Sequence, residues 1–121
     1  MLPEGFVLRM KKLLGAEFDA FAASYDRPRN VGLRRNPHKG VQLALPELGL
    51  TPVPWCTDGF YYDAAARPGL SPLHEAGCYY LQEPSAMAPA ELLDVRPGQR
   101  VLDLCAAPGG KSTQLAAKLE G

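Results

Sequence analysis

The chain has 121 residues and zero formal net charge, with 46% apolar and 21% charged side chains; that composition argues against disorder throughout, and the length allows one modest core or two small ones. No apolar run approaches the roughly 18 residues that span a bilayer, and an N-terminus carrying Glu4, Arg9, Lys11 and Lys12 is no signal peptide, so the sequence reads as cytoplasmic and without membrane contact. Three cysteines, Cys56, Cys78 and Cys105, are odd in number and lack CxxC spacing, which indicates neither a disulfide framework nor a metal site.

In chain order, Phe6, Val7, Met10, Leu13 and Leu14 recur at helical spacing, with Pro3 and Glu4 suited to the first turn and Gly15 to the stop. Phe18, Phe21, Ala22 and Tyr25 make a second helical pattern, bounded by Gly15 and by Asp26, Arg27 and Pro28, so a helical hairpin is expected. Val31 to Arg35 reads as a short strand that puts Arg34 and Arg35 on opposite faces. Arg27, Arg29, Arg34, Arg35 and Lys39 follow one another without an intervening acid, which suits either a surface that meets phosphates or a solvated basic loop.

From Val41 to Pro54, three prolines and Gly49 predict irregular structure. Val53 to Trp55 and Phe60 to Tyr62, separated by Asp58 and Gly59, predict a small antiparallel pair that completes an α+β domain. Ser71 and Pro72 start a short helix ended by Gly77, and Cys78 to Leu81 is β-rich. Pro84 to Leu93 forms another helical window, broken at Asp94 to Gly98. Val101 to Leu104 then predicts a compact buried strand, Cys105 to Gly110 a tight loop, and Lys111 to Leu119 a helix. The expected architecture is therefore α/β: a small N-terminal α+β domain over 1–81, then the first β-loop-α unit of a Rossmann-like fold over 82–121, a sheet that looks cut short.

The stretch VLDLCAAPGGKST carries the chemistry. Its loop residues Ala106, Ala107, Pro108, Gly109 and Gly110 have little or no side chain, which lets a ligand approach the backbone, and the following helix start offers free N–H groups. A nucleotide-like cofactor suits such a loop; a tight turn chosen for packing is the alternative. Gly110, Lys111 and Ser112 also match the end of a phosphate-loop motif. However, Cys105 stands where its first glycine belongs, and Pro108 removes a backbone donor, so a phosphate-loop NTPase fits poorly.

DLCAAPGGKST, preceded by YYLQEPSAMAPAELLDVRPGQRV, resembles the Sun-type family of S-adenosylmethionine-dependent RNA cytosine-5 methyltransferases, and the opening LPEGFVLRMKKLLGAEFDAFAASYDRPRNVGLRRN is similar to the N-terminal, RNA-facing segment of its bacterial ribosomal RNA members. The resemblance implies methyl transfer to C5 of a cytosine in RNA, most of all 16S ribosomal RNA of the small subunit, by a full-length protein that is a monomer. It implies that Cys105, Ala106, Ala107, Pro108, Gly109, Gly110 and Lys111 wrap the methionine and ribose part of S-adenosyl-L-methionine, with Asp103 either orienting the loop, the favoured role, or reaching the cofactor's ammonium directly. By the same resemblance, Gln82, Glu83, Pro84 and Ser85 build the pocket wall or cap a helix. The family's nucleophile lies in a TC motif, assisted by a PC motif, and neither occurs here. No catalytic residue is therefore assigned, the chain alone is expected to be inactive, and a non-catalytic RNA-binding or assembly module stays open as the alternative. Arg34, Arg35 and Lys39 are expected to contribute phosphate contacts.

Overall fold

The computed structural model describes residues 2–39 and 45–119. Helix α1 (Glu4–Leu14) starts after Pro3 and stops at Gly15, whose N–H bonds the Lys11 carbonyl at a φ of 53°, a backbone conformation that favours glycine. A 3-10 turn over Gly15–Glu17 leads into α2 (Phe18–Ser24). The expected hairpin forms, with the Phe6 ring 6.2 Å from Phe21 and 6.4 Å from Tyr25, and Lys11 Nζ 5.2 Å above the Phe18 ring.

Four short strands form one antiparallel sheet: β1 (Gly32–Arg35), β2 (Thr51–Pro52), β3 (Gly59–Tyr61) and β4 (Tyr79–Leu81), in the order β2-β3-β1-β4. Leu33 on the inner strand pairs with Phe60 on one side and Leu81 on the other. Gly32 allows the next segment to close over it, since a Cβ there would come within 2.9 Å of the Gln82 carbonyl oxygen and the Pro84 ring.

The expected pair around Asp58 and Gly59 is present but shifted. Thr51 faces Tyr61 and Pro52 faces Phe60, and 53–58 form the turn. Pro54 has no N–H to donate, so the ladder ends at the bond from Val53 N–H to the Gly59 carbonyl. Val53 and Cys56 then turn inward against Met87. Part of the irregular stretch expected from Val41, namely 41–44, lies outside the described residues; the rest contains a 3-10 turn over Pro46–Leu48 and β2.

Helix α3 (Pro72–Glu75) has the expected cap, Ser71 Oγ accepting from Leu73 N–H. The window after Pro84 is a 3-10 turn over Pro84–Met87 followed by α4 (Ala88–Leu92), and it breaks where expected, with Asp94 and Gly98 at positive φ. Helix α5 (Gly110–Leu119) closes the described chain.

The strand expected over Val101 to Leu104 is not formed. These residues pair with no strand among the described residues, and Leu102 and Leu104 are 80% and 86% exposed. A strand exists through ladder bonds to a neighbour, and the sheet here is built from other segments; Val101 alone turns in, packing against Ala90, Val95 and Leu115. The core under the sheet is Leu33, Leu48, Cys78 and Tyr79, while Ala90, Val95 and Leu115 join α4 to α5.

Candidate functional site

The loop between Asp103 and α5 is closed by Asp103 itself. Its carboxylate accepts from Cys105 N–H at 3.0 Å and from Ser112 Oγ at 2.6 Å, so one side chain clasps both ends of the turn. These bonds, Ser112 first and then the Cys105 amide, hold the carboxyl below its ordinary range. The same bond engages the Ser112 hydroxyl, which a phosphate loop would offer to magnesium.

Gly109 has a φ of 108° and nothing within 4 Å of the place a Cβ would take, so its backbone faces open space. Gly110 is the opposite case. A Cβ there would lie 3.3 Å from both Gln82 Nε2 and Tyr80 Cε1, so this glycine lets the loop press against the end of β4. Between loop and sheet runs a groove of about 250 Å³, with 105–111 as one wall and Tyr80 to Glu83 with Ala86 as the other. All seven residues predicted to wrap a cofactor, Cys105 to Lys111, line it. Gln82 and Glu83 are on the facing wall, and Glu83 also caps the next turn by accepting from Ser85 N–H at 3.3 Å. Glu83 thus both lines the groove and caps the turn that follows it, with Ser85 as the donor.

Arg34 is placed differently from the sequence expectation of a phosphate contact. It is 4% exposed and donates to Gln82, Gly110 and Thr113, because β1 is an inner strand and α5 covers the face on which Arg34 projects. Arg35, on the other face as expected, is paired with Asp58 at 2.6 Å. Of the basic stretch, Arg27, Arg29 and Lys39 are exposed.

A second polar cluster, which sequence reasoning missed, anchors α5 farther along. Glu91 accepts from Gln114 at 2.8 Å, Lys118 at 2.7 Å and the Cys56 thiol at 3.3 Å. Burial, then Glu91, pushes the Cys56 thiol up to about 11, so it is no thiolate at neutral pH. Burial raises the Glu91 pKa, but the bonds from Lys118, Gln114 and Cys56 outweigh it and hold the carboxyl below the ordinary glutamate range. A carboxylate depressed in the folded state contributes stability above its unfolded pKa and loses it as pH falls through the folded one. Glu91→Gln is therefore expected to lower stability at pH 7 by about 1–3 kcal/mol and to flatten the loss of stability as pH falls through and below the ordinary carboxylate range, as read by urea melts across pH. An unchanged acid limb would remove Glu91 from this role.

Among the described residues no group of three or more His, Cys, Asp or Glu could hold a metal ion, and no helix is long and apolar enough to cross a membrane.

Residues 2–84 match the family model described as the N-terminal domain of 16S rRNA methyltransferase RsmF. The chain is 40% identical to a ribosomal RNA small subunit methyltransferase F of Enterobacter sp. (strain 638) and 37% identical to that of Escherichia coli O1:K1 / APEC. Each alignment covers 97% of this chain and 27% of the relative, so the chain spans about a quarter of the length of these curated relatives and includes the loop. Its fold is similar to a crystal structure of a methyltransferase homolog protein from Pyrococcus horikoshii, with a TM-score of 0.77 and 29% identity over 98% of this chain and 41% of that one.

Proposed function

Because this chain belongs to the family of the N-terminal domain of 16S rRNA methyltransferase RsmF, we propose that its groove is the S-adenosylmethionine site of an enzyme that methylates C5 of a cytosine in small-subunit ribosomal RNA. The observation that carries the reading is the open backbone at Gly109, set in a groove whose one wall is the small-residue loop and whose other is Tyr80 to Glu83. A groove of about 250 Å³ is below the usual range for a ligand pocket, roughly 300–1,000 Å³, so these residues suit the methionine and ribose portion and weak affinity follows.

When bound, S-adenosylmethionine supplies an electrophilic methyl group. What the chain's own residues do is bind and orient. The 105–111 backbone lines the ligand's edge, Asp103 keeps the loop in register with α5, and Gln82 and Glu83 form the opposite wall. Residues 82–121 are assigned to the cofactor domain and 1–81 to the RNA-facing domain. Methylation of this kind needs a thiolate to add to C6 of the base, and Cys56, buried and held protonated, does not supply it. The family's own nucleophile in its TC motif is the group assigned that step, in the cytoplasm, in a monomer.

Titrating the chain calorimetrically with S-adenosylmethionine, and separately with ATP and magnesium, tests the reading. Saturable binding of the first and not the second is expected; the reverse would return the loop to phosphate chemistry. The RNA side of the proposal rests on the exposed Arg27, Arg29 and Lys39. Reversing all three to glutamate is expected to weaken binding of a single-stranded RNA and to flatten its log-log salt dependence by about 0.7 for each phosphate that is no longer neutralised. An unchanged slope would make the stretch an ordinary solvated loop.

A further inference from the structure

Strand β1 delivers a guanidinium to the start of α5. Arg34 Nε donates to Gln82 Oε1 at 3.0 Å, and Nη2 donates to Thr113 Oγ1 at 2.7 Å and to the Gly110 carbonyl oxygen at 3.2 Å. Among the described residues no carboxylate is within ion-pair distance of it. That placement is costly twice over. A charge that is 4% exposed has lost most of its hydration without gaining a counter-ion, and it stands against the first turn of a helix, the end whose dipole disfavours a cation. A side chain needed only to fill the space between sheet and helix would be better apolar, since apolar replacement of buried charged groups is often neutral or stabilising.

The guanidinium offers what an apolar side chain cannot: several donors in a rigid fork. Two of its acceptors, Gln82 and Gly110, lie on the facing walls of the groove, and the third, Thr113, lies just behind the Gly110 wall on α5. The two side-chain acceptors are themselves tied down. Gln82 Nε2 donates to the Ala86 carbonyl at 3.2 Å, and Thr113 Oγ1 donates to the Gly109 carbonyl at 2.8 Å, at the residue whose open backbone faces the groove. The fit at Gly110 leaves no slack, because even a methyl group there would crowd Gln82.

We propose that Arg34 is a positioning residue whose fork ties Gln82 to the start of α5 at Gly110 and Thr113, and so holds the two walls of the groove at a fixed separation. The proposal rests on the reading of that groove as the cofactor site for its functional meaning, but not for its structural test. In Arg34→Lys the charge and stem remain and the fork is lost. Amide exchange over 105–114 is expected to accelerate on the order of tenfold, while the strand amides of Leu33, Phe60 and Tyr80 keep their protection. S-adenosylmethionine affinity should fall in parallel, with weaker ligand-induced shifts of the Gly109 and Gly110 amide signals. Thr113→Val, which removes one acceptor from an exposed position and keeps the shape, should loosen the same segment, and it decides the matter if Arg34→Lys does not fold. Loop exchange unchanged in the folded variants, or loop and sheet losing protection together, overturns the clamp. Failure of the unaltered chain to bind S-adenosylmethionine would remove the cofactor reading alone, since exchange still tests Arg34.

Discussion

Replacing Gly109 by arginine is expected to abolish S-adenosylmethionine binding while leaving the chain folded. Gly109 has open space where a Cβ would go, and it borders the groove between the loop and β4, so a long side chain there competes with the ligand for the same volume. Its φ of 108° adds backbone strain, of the order of 1–3 kcal/mol for a side-chain-bearing residue. Strain alone could loosen the loop, so a matched control is needed. Gly98 also has positive φ, 84°, and nothing within 4 Å of its Cβ position, but it is outside the groove. Gly98→Arg should carry a similar strain and bind the cofactor like the unaltered chain. In calorimetry the Gly109 variant is expected to lose at least about 1.4 kcal/mol, a tenfold change, and in practice the whole signal. Equal affinities for the two variants and the parent would refute the cofactor groove.

Leu33→Ala is expected to have the largest effect on stability of any single truncation in the sheet domain. Leu33 is fully buried on the inner strand β1, between Phe60 and Leu81 in the ladder, and packs with Leu48, Cys78 and Tyr79. Removing a buried leucine side chain forfeits its transfer energy and leaves a cavity, about 2–5 kcal/mol together. Small domains have total stabilities of only about 5–15 kcal/mol, so much of the margin goes. With a denaturant slope of about 1–3 kcal/mol per molar, the urea midpoint should fall by about 1 M or more. Leu93→Ala, at a side chain 56% exposed, should shift it little. The two variants also separate fold from site: the Leu33 variant should lose loop and sheet protection together, the pattern that would count against a specific Arg34 clamp.

The local elements were largely legible. Helical spacing in Phe6 to Leu14, the Gly15 stop, the Ser71 and Pro72 start and the Asp94 to Gly98 break all correspond to observed boundaries, because each rests on interactions within a few residues. The 51–61 hairpin was legible as a pair, but its first strand begins two residues and its second one residue earlier than expected, since the inward turn of Val53 and Cys56 onto Met87 is a contact with a segment some thirty residues away. Val101 to Leu104 has the composition of a strand, but a strand is a relation to a neighbour, and the described residues provide none.

The same division holds at the site. By its own chemistry the sequence determined that 105–111 must be a tight, nearly side-chain-free loop before a helix, because small residues, a proline and paired glycines permit little else. The motif also carried the family resemblance. Which wall faces that loop, and what holds the two apart, was decided only by tertiary structure. Arg34 reads as a surface cation in sequence, and Gln114 as an ordinary polar position on a helix; burial against partners 48 to 79 residues away for Arg34, and 23 and 27 away for Gln114, makes them internal ties. The physical reason is desolvation: charge and hydrogen-bonding capacity are local properties of a side chain, but whether water or a carbonyl satisfies them depends on what the fold brings alongside.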